Sequence, residues 1–168
     1  MDAPILETER LAFYPFTPND YDLLAELHAD PQVQRYIGGA WPRDAIQGRL
    51  DQYVAEQGAH GFSKWKTYLR DGTFAGRAGI SYWDRTGGFE LGYAFRRACW
   101  GQGLATEAAA AIADWFFATT PHTRLNGFTD VRNIASRRVL ERIGMIFVGE
   151  EDLGFGGPSA LYRLERIA

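Results

Sequence analysis

The run Arg96-Arg97-Ala98-Cys99-Trp100-Gly101-Gln102-Gly103-Leu104-Ala105-Thr106-Glu107-Ala108 has the residue types of an anion-binding turn. It leaves an alternating apolar segment and enters a strongly helical one. The first turn of a helix holds backbone N–H groups without internal partners and carries a partial positive charge. Gly101, Gly103 and Ala105 keep side chains clear of those groups, so a phosphate could approach the backbone closely. Thr106 adds a hydroxyl, and Arg96 and Arg97 add charge. The same glycines would also serve a plain strand-to-helix turn. The run lacks the third glycine of Gly-x-Gly-x-x-Gly and the lysine of a triphosphate loop. The chemistry it suggests is a phosphate-bearing ligand outside those two classes.

Other reactive side chains are sparse. Cys99 is the single cysteine, so no intrachain disulfide forms, and no histidine lies near it in sequence to activate the thiol. His28, His60 and His122 are scattered, and no Cys/His group has zinc spacing, so no metal is expected.

The elements that must position these residues follow from period and punctuation. A strand is expected near Leu11–Phe16, then a helix opened by Thr17 as cap with Pro18 at its first position, running to about His28. Asp30-Pro31 suggests a short second helix, and residues 43–57 a third with Ile46, Leu50, Tyr53 and Val54 on one face. Phe62–Leu69 and Thr73–Trp83 read as strands joined across Asp71-Gly72. Phe89, Leu91, Tyr93 and Phe95 share one face of the next strand, with Glu90, Gly92 and Ala94 on the other. A helix over Gly103–Thr119, a strand at Leu125–Thr129 and a helix from Asn133 to Ile143, stopped by Gly144, come next. Strands at Met145–Glu151 and Leu161–Glu165 close the chain. This order implies a mixed sheet with helices on both faces.

The chain has 168 residues, 46% apolar and 23% charged, which excludes a mainly disordered protein and fits one domain spanning residues 1–168. A net charge of −3 argues against a general nucleic-acid binder. Residues 1–84 hold 8 basic and 12 acidic side chains, residues 85–168 10 and 9. An acidic chain with a local arginine excess from Arg96 to Arg138 could pair a cationic substrate with an anionic cofactor; a solvated arginine-rich surface would read the same way. The first residues lack the layout of a secretory signal, and the apolar stretch Ala108–Ala118 is too short to cross a bilayer. The expectation is a cytoplasmic protein without a membrane partner.

The Trp100–Ala108 loop, the Asn133-x-x-Ser136 helix ending in Gly144-Met145, Glu90-Leu91-Gly92-Tyr93, the opening Leu6–Leu11 and the closing Leu161–Leu164 occur together and in order. Over nearly the whole chain this set resembles the GNAT superfamily of N-acetyltransferases, and within it the RimJ/RimL type. The resemblance implies an α/β (α+β) fold with a mostly antiparallel sheet of about seven strands, splayed between the fourth and fifth. It implies acetyl-coenzyme A as cosubstrate, a protein N-terminus or small-molecule amine as acceptor, and direct attack without a covalent enzyme intermediate. A homodimer is expected by the same analogy.

Carried onto this sequence, the resemblance puts the pyrophosphate on amides from Gly101 through Thr106, with Gln102 and Leu104 in that turn and Trp100 and Arg96 beside it. The pantetheine arm would lie along Leu91, Tyr93 and Phe95, because its two amides can imitate a strand. Asn133 would hydrogen-bond the arm, and Ser136 would lie near the sulfur. Many members carry a tyrosine where Leu140 stands here, to protonate the thiolate; that role is expected instead of Ser136 or Tyr162. Glu90 is the expected base, although a strand carboxylate could equally be exposed or paired with an arginine. By the same analogy residues 36–41 and 154–158 shape the acceptor pocket, while most of the aromatics Tyr36, Trp41, Phe62, Trp65, Trp83 and Phe155 are simply core. The alternative is a non-catalytic coenzyme A-binding or partner-docking module of the same fold.

Overall fold

The computed structural model describes residues 2–167. Eight strands form one sheet: β1 (Leu6–Glu7), β2 (Leu11–Pro15), β3 (Lys64–Leu69), β4 (Phe74–Trp83), β5 (Gly88–Phe95), β6 (Arg124–Asp130), β7 (Ile146–Asp152) and β8 (Pro158–Glu165). Their spatial order is β1-β2-β3-β4-β5-β6-β8-β7, and every neighbouring pair is antiparallel except β5 and β6. The parallel pair is joined only at Glu90↔Asn126 and Leu91↔Gly127. Beyond Leu91 the two strands diverge, which is the splay expected between the fourth and fifth strands. The extra strand over the expected seven is β1, a two-residue edge strand paired with Phe13 and Ala12.

Four helices, α1 (Tyr21–His28), α2 (Arg43–His60), α3 (Leu104–Thr119) and α4 (Ile134–Arg142), cover the sheet. Leu104, Ala108, Ala109, Ile112, Ala113 and Phe116 recur at three- and four-residue spacing on α3 and are all buried. They pack with Ile80, Leu91, Phe95 and Leu125 into the largest core cluster. A second cluster joins Phe16 to Leu24 of α1 and to Ile46, Leu50 and Tyr53 of α2.

Two local expectations are corrected. Thr17 does not cap α1: its N–H and hydroxyl both donate to Asp20 Oδ2, at 2.7 and 3.1 Å, and Asp20 takes the N-cap position without capping through its side chain. Asp20 is instead held by Lys66 on β3 at 2.9 Å. The short helix expected after Asp30-Pro31 is a chain of turns. The Gln34 carbonyl accepts from both Ile37 and Gly39, and Gly38 and Gly39 have φ of +87° and +82°, which a helix cannot accommodate.

Candidate active site

Two cavities meet where β5 leaves β6. The larger, about 590 Å³, runs past the N-terminus of α3 and along α4. Gly101, Gly103, Leu104, Ala105, Thr106 and Trp100 line it from the turn, and Tyr93 and Phe95 from β5. Gly101 and Gly103 have φ of +74° and +78°, left-handed values that explain glycine at both positions. No side chain caps the N-terminus of α3. Its amides therefore remain available to an anion, as the fit of a pyrophosphate requires. Trp100 is half exposed, and its indole N–H donates to the Phe95 carbonyl at 2.8 Å, tying the turn to the end of β5.

The cationic lining differs from the sequence-based expectation. Arg96 and Gln102 line neither cavity. Arg96 donates to the Phe74 carbonyl and pairs with Glu26 at 3.1 Å, while Arg97 pairs with Asp30 at 2.7 Å. The Gln102 carbonyl accepts from Arg10, and its amide donates to Ala98. The groove is instead faced by Arg35, Arg138 and Arg142. Arg138 and Arg142 are four apart on α4 and so share a face, a signal present in the sequence.

The smaller cavity, about 200 Å³, lies between the sheet, α2 and the segment before it. Tyr36, Ile37, Trp41 and Phe155 line it, so both segments expected to shape the acceptor pocket reach it. Glu90 and Leu91 line it from β5. The Glu90 partner is neither solvent nor an arginine but Lys64, whose ammonium lies 2.9 Å from Glu90 Oε1 with only 4% of its side chain exposed. Burial pushes the Lys64 ammonium below its ordinary value, and the Glu90 carboxylate pulls it back up. Lys64 lies across Gly92, where an added Cβ would sit 2.8 Å from Lys64 Cε. Nothing local in the sequence marks this pair, since 26 residues separate its members.

Tyr93, Asn133 and Ser136 line both cavities. Asn133 accepts from the Ser136 N–H at 3.2 Å and so caps α4 with its carbonyl, while its side-chain amide makes no hydrogen bond within the described residues. The Tyr93 hydroxyl donates to the Ser136 carbonyl at 3.1 Å and lies 3.0 Å from Ser136 Oγ, where either oxygen can donate. Burial raises the Tyr93 phenol well above its ordinary value, so it stays protonated. Tyr162 is elsewhere: it lines neither cavity, accepts from Arg137 Nε at 3.0 Å and donates to Glu141 at 3.0 Å. The hydroxyl that sequence reasoning missed as a partner for Ser136 is thus Tyr93. Leu140 is buried, lines the smaller cavity and packs within reach of Gly127. Cys99 borders the larger cavity but is itself buried, and burial pushes its thiol up, away from the thiolate a nucleophile needs.

No group of three or more His, Cys, Asp or Glu side chains that could hold a metal ion comes together among the described residues. No helix there is long and apolar enough to cross a membrane.

Residues 10–146 match the model of the acetyltransferase (GNAT) domain. The chain is 32% identical over 126 residues to an uncharacterized protein, YkkB, of Bacillus subtilis, covering 73% of each chain. Its fold matches the crystal structure of an acetyltransferase from Agrobacterium tumefaciens with a TM-score of 0.84 at 27% identity, covering 99% of this chain and 96% of that one. It also matches the fold of RimL, a ribosomal alpha-N-protein acetyltransferase, in complex with coenzyme A, with a TM-score of 0.79 at 14% identity over 96% and 97% of the two chains.

Proposed function

The chain belongs to the GNAT acetyltransferase family, which transfers acetyl groups from acetyl-coenzyme A, and on that premise we propose that it acetylates a primary amine by direct attack. The observation that carries this reading is the meeting of the two cavities at Tyr93, Asn133 and Ser136, with Glu90 on the smaller side. When bound, acetyl-coenzyme A supplies the activated acetyl thioester. The larger cavity is the one that fits it: the uncapped amides from Gly101 to Thr106 and the Arg138 and Arg142 charges suit its phosphates. The unpaired edge of β5 beyond Leu91 suits the two pantetheine amides, and the free Asn133 amide has a carbonyl to reach.

Glu90 prepares the nucleophile. Lys64 pins Oε1, leaving Oε2 to accept a proton from an incoming ammonium, which turns it into a nucleophilic amine. A backbone N–H in the Gly92–Tyr93 stretch stabilises the negative charge that develops on the carbonyl oxygen. The Ser136 hydroxyl, 3.0 Å from the Tyr93 hydroxyl, gives its proton to the departing sulfur and takes up the second proton, which the attacking nitrogen releases as the amide forms. Leu140 cannot serve this step, which leaves the Ser136–Tyr93 pair to do so.

Calorimetry with acetyl-coenzyme A tests the donor half, followed by thiol release in the presence of an amine library. Binding followed by turnover is the expected result. No binding at high micromolar ligand overturns the proposal, and binding without turnover on any amine favours a non-catalytic module.

A further inference from the structure

The smaller cavity holds more fixed positive charge than the proposed reaction uses. Arg77 on β4 is only 7% exposed, lines the cavity and pairs with no carboxylate among the described residues. Its Nε donates to His28 Nε2 at 3.0 Å, while His28 Nδ1 lies 2.7 Å from Gln34 Oε1. The imidazole is stacked on Trp41 at 4.1 Å. With Nε2 accepting from Arg77, the neutral imidazole carries its proton on Nδ1 and donates it to Gln34. The guanidinium is therefore oriented from behind, while its two terminal nitrogens have no hydrogen-bond partner among the described residues. Arg49 on α2 adds a second cation. It stacks over Trp41 at 5.1 Å, donates to Gln52 at 3.3 Å and pairs with no carboxylate either.

The neighbouring acids do not cancel this charge. Glu90 is matched by Lys64. Glu56 accepts from the neutral Ser63, Ser81 and Gln52 side chains, at 3.1, 2.8 and 2.6 Å. Asp130, on the β6 side, is taken by Arg132 at 2.7 Å. Arg49, Lys64 and Arg77 against Glu56 and Glu90 leave one positive charge in excess. A buried guanidinium without a counter-charge costs stability, and an oxyanion with two acceptor oxygens matches its planar fork.

We propose that the acceptor amine carries a carboxylate a few bonds from its nitrogen, and that Arg77, helped by Arg49, binds that carboxylate in the smaller cavity. The occupant is a small zwitterion of the amino-acid type. The strand register fits such a molecule: Glu90 lies opposite Ser81, and Arg77 is four residues back on the same face of β4. That spacing is about 13 Å between the Cα atoms of Ser81 and Arg77, and Glu90 Oε2 lies 3.4 Å from where a Cβ on Gly92 would sit, one step along β5 toward Ala94, the residue opposite Arg77. Glu90 thus meets the ammonium of a compact acceptor while Arg77 meets its carboxylate. This inference rests on the amine-acetylation reading above.

The test pairs each standard amino acid with its carboxamide as acceptor, scored by thiol release from acetyl-coenzyme A. The best acceptors should be carboxylates, with kcat/KM falling roughly 10- to 100-fold in the carboxamide, the range of a charge-assisted hydrogen-bonded pair. In Arg77→Met, and less steeply in Arg49→Gln, that ratio should collapse toward one. Equal use of carboxylate and carboxamide by the unaltered protein overturns the proposal without recourse to any variant. So does a ratio that survives both substitutions. Calorimetry with the N-acetyl amino acids separates this inference from its premise. Binding that Arg77→Met weakens, in a protein that turns over no amine, sinks the transferase reading and leaves the carboxylate site standing. Absence of both turnover and binding removes the site.

Discussion

Acidification should weaken the fold through His28, by an amount set by its surroundings. The side chain is fully buried against Trp41, and its Nε2 already accepts from a guanidinium. Burial first, and the Arg77 charge second, push its pKa from the ordinary 6.5 down to about 3. As pH falls, the unfolded chain therefore takes up this proton long before the folded one. The contribution is fully present above 6.5, shrinks as pH drops below that value, and is wholly lost near 3. The slope between those limits is about 1.4 kcal/mol per pH unit, and the total about 5 kcal/mol. From about pH 7.5 to about pH 5, the His28 share is about 2 kcal/mol. Urea unfolding at those two values, on the unaltered protein and on His28→Gln, isolates it. The variant loses packing on Trp41 and starts less stable, so the informative quantity is the difference between the two pH dependences. The unaltered protein should lose about 2 kcal/mol more than His28→Gln over this interval. Equal losses would refute the neutral, Arg77-bound imidazole and the orientation of Arg77 derived from it.

Glu90→Gln should lower kcat by about 10²- to 10⁴-fold while the acetyl-coenzyme A Kd stays within about twofold, checked by steady-state kinetics and calorimetry. An unchanged rate and pH profile removes Glu90 from the base role. Arg138→Ala combined with Arg142→Ala should weaken coenzyme A binding by roughly tenfold, with the deficit shrinking at high salt as screening sets in. Gly127→Ala should cost about 1–3 kcal/mol in urea unfolding, because the new Cβ lands 2.9 Å from Met145 Sδ and 3.1 Å from a Leu140 methyl group.

The amino-acid sequence by itself determined what depends on near neighbours. Alternation placed Glu90 and Leu91 on opposite faces of β5, and Asp71-Gly72 turned β3 into β4. Gly101 and Gly103 opened α3 with clear amides, and the ordered motifs identified the splayed sheet. What only the tertiary structure decided is which charge meets which. Lys64 reaches Glu90 across 26 positions and Arg77 reaches His28 across 49, through strand pairing and helix packing that no local period encodes. Arg96 and Arg97, adjacent to the anion-binding turn, are drawn off by Glu26 and Asp30, and α4 presents Arg138 and Arg142 in their place. Likewise Tyr162, a plausible proton donor by position alone, is held by Arg137 and Glu141, and Tyr93 stands beside Ser136 instead. A side chain's type follows from the sequence, but its partner is set by the direction in which a packed element points it.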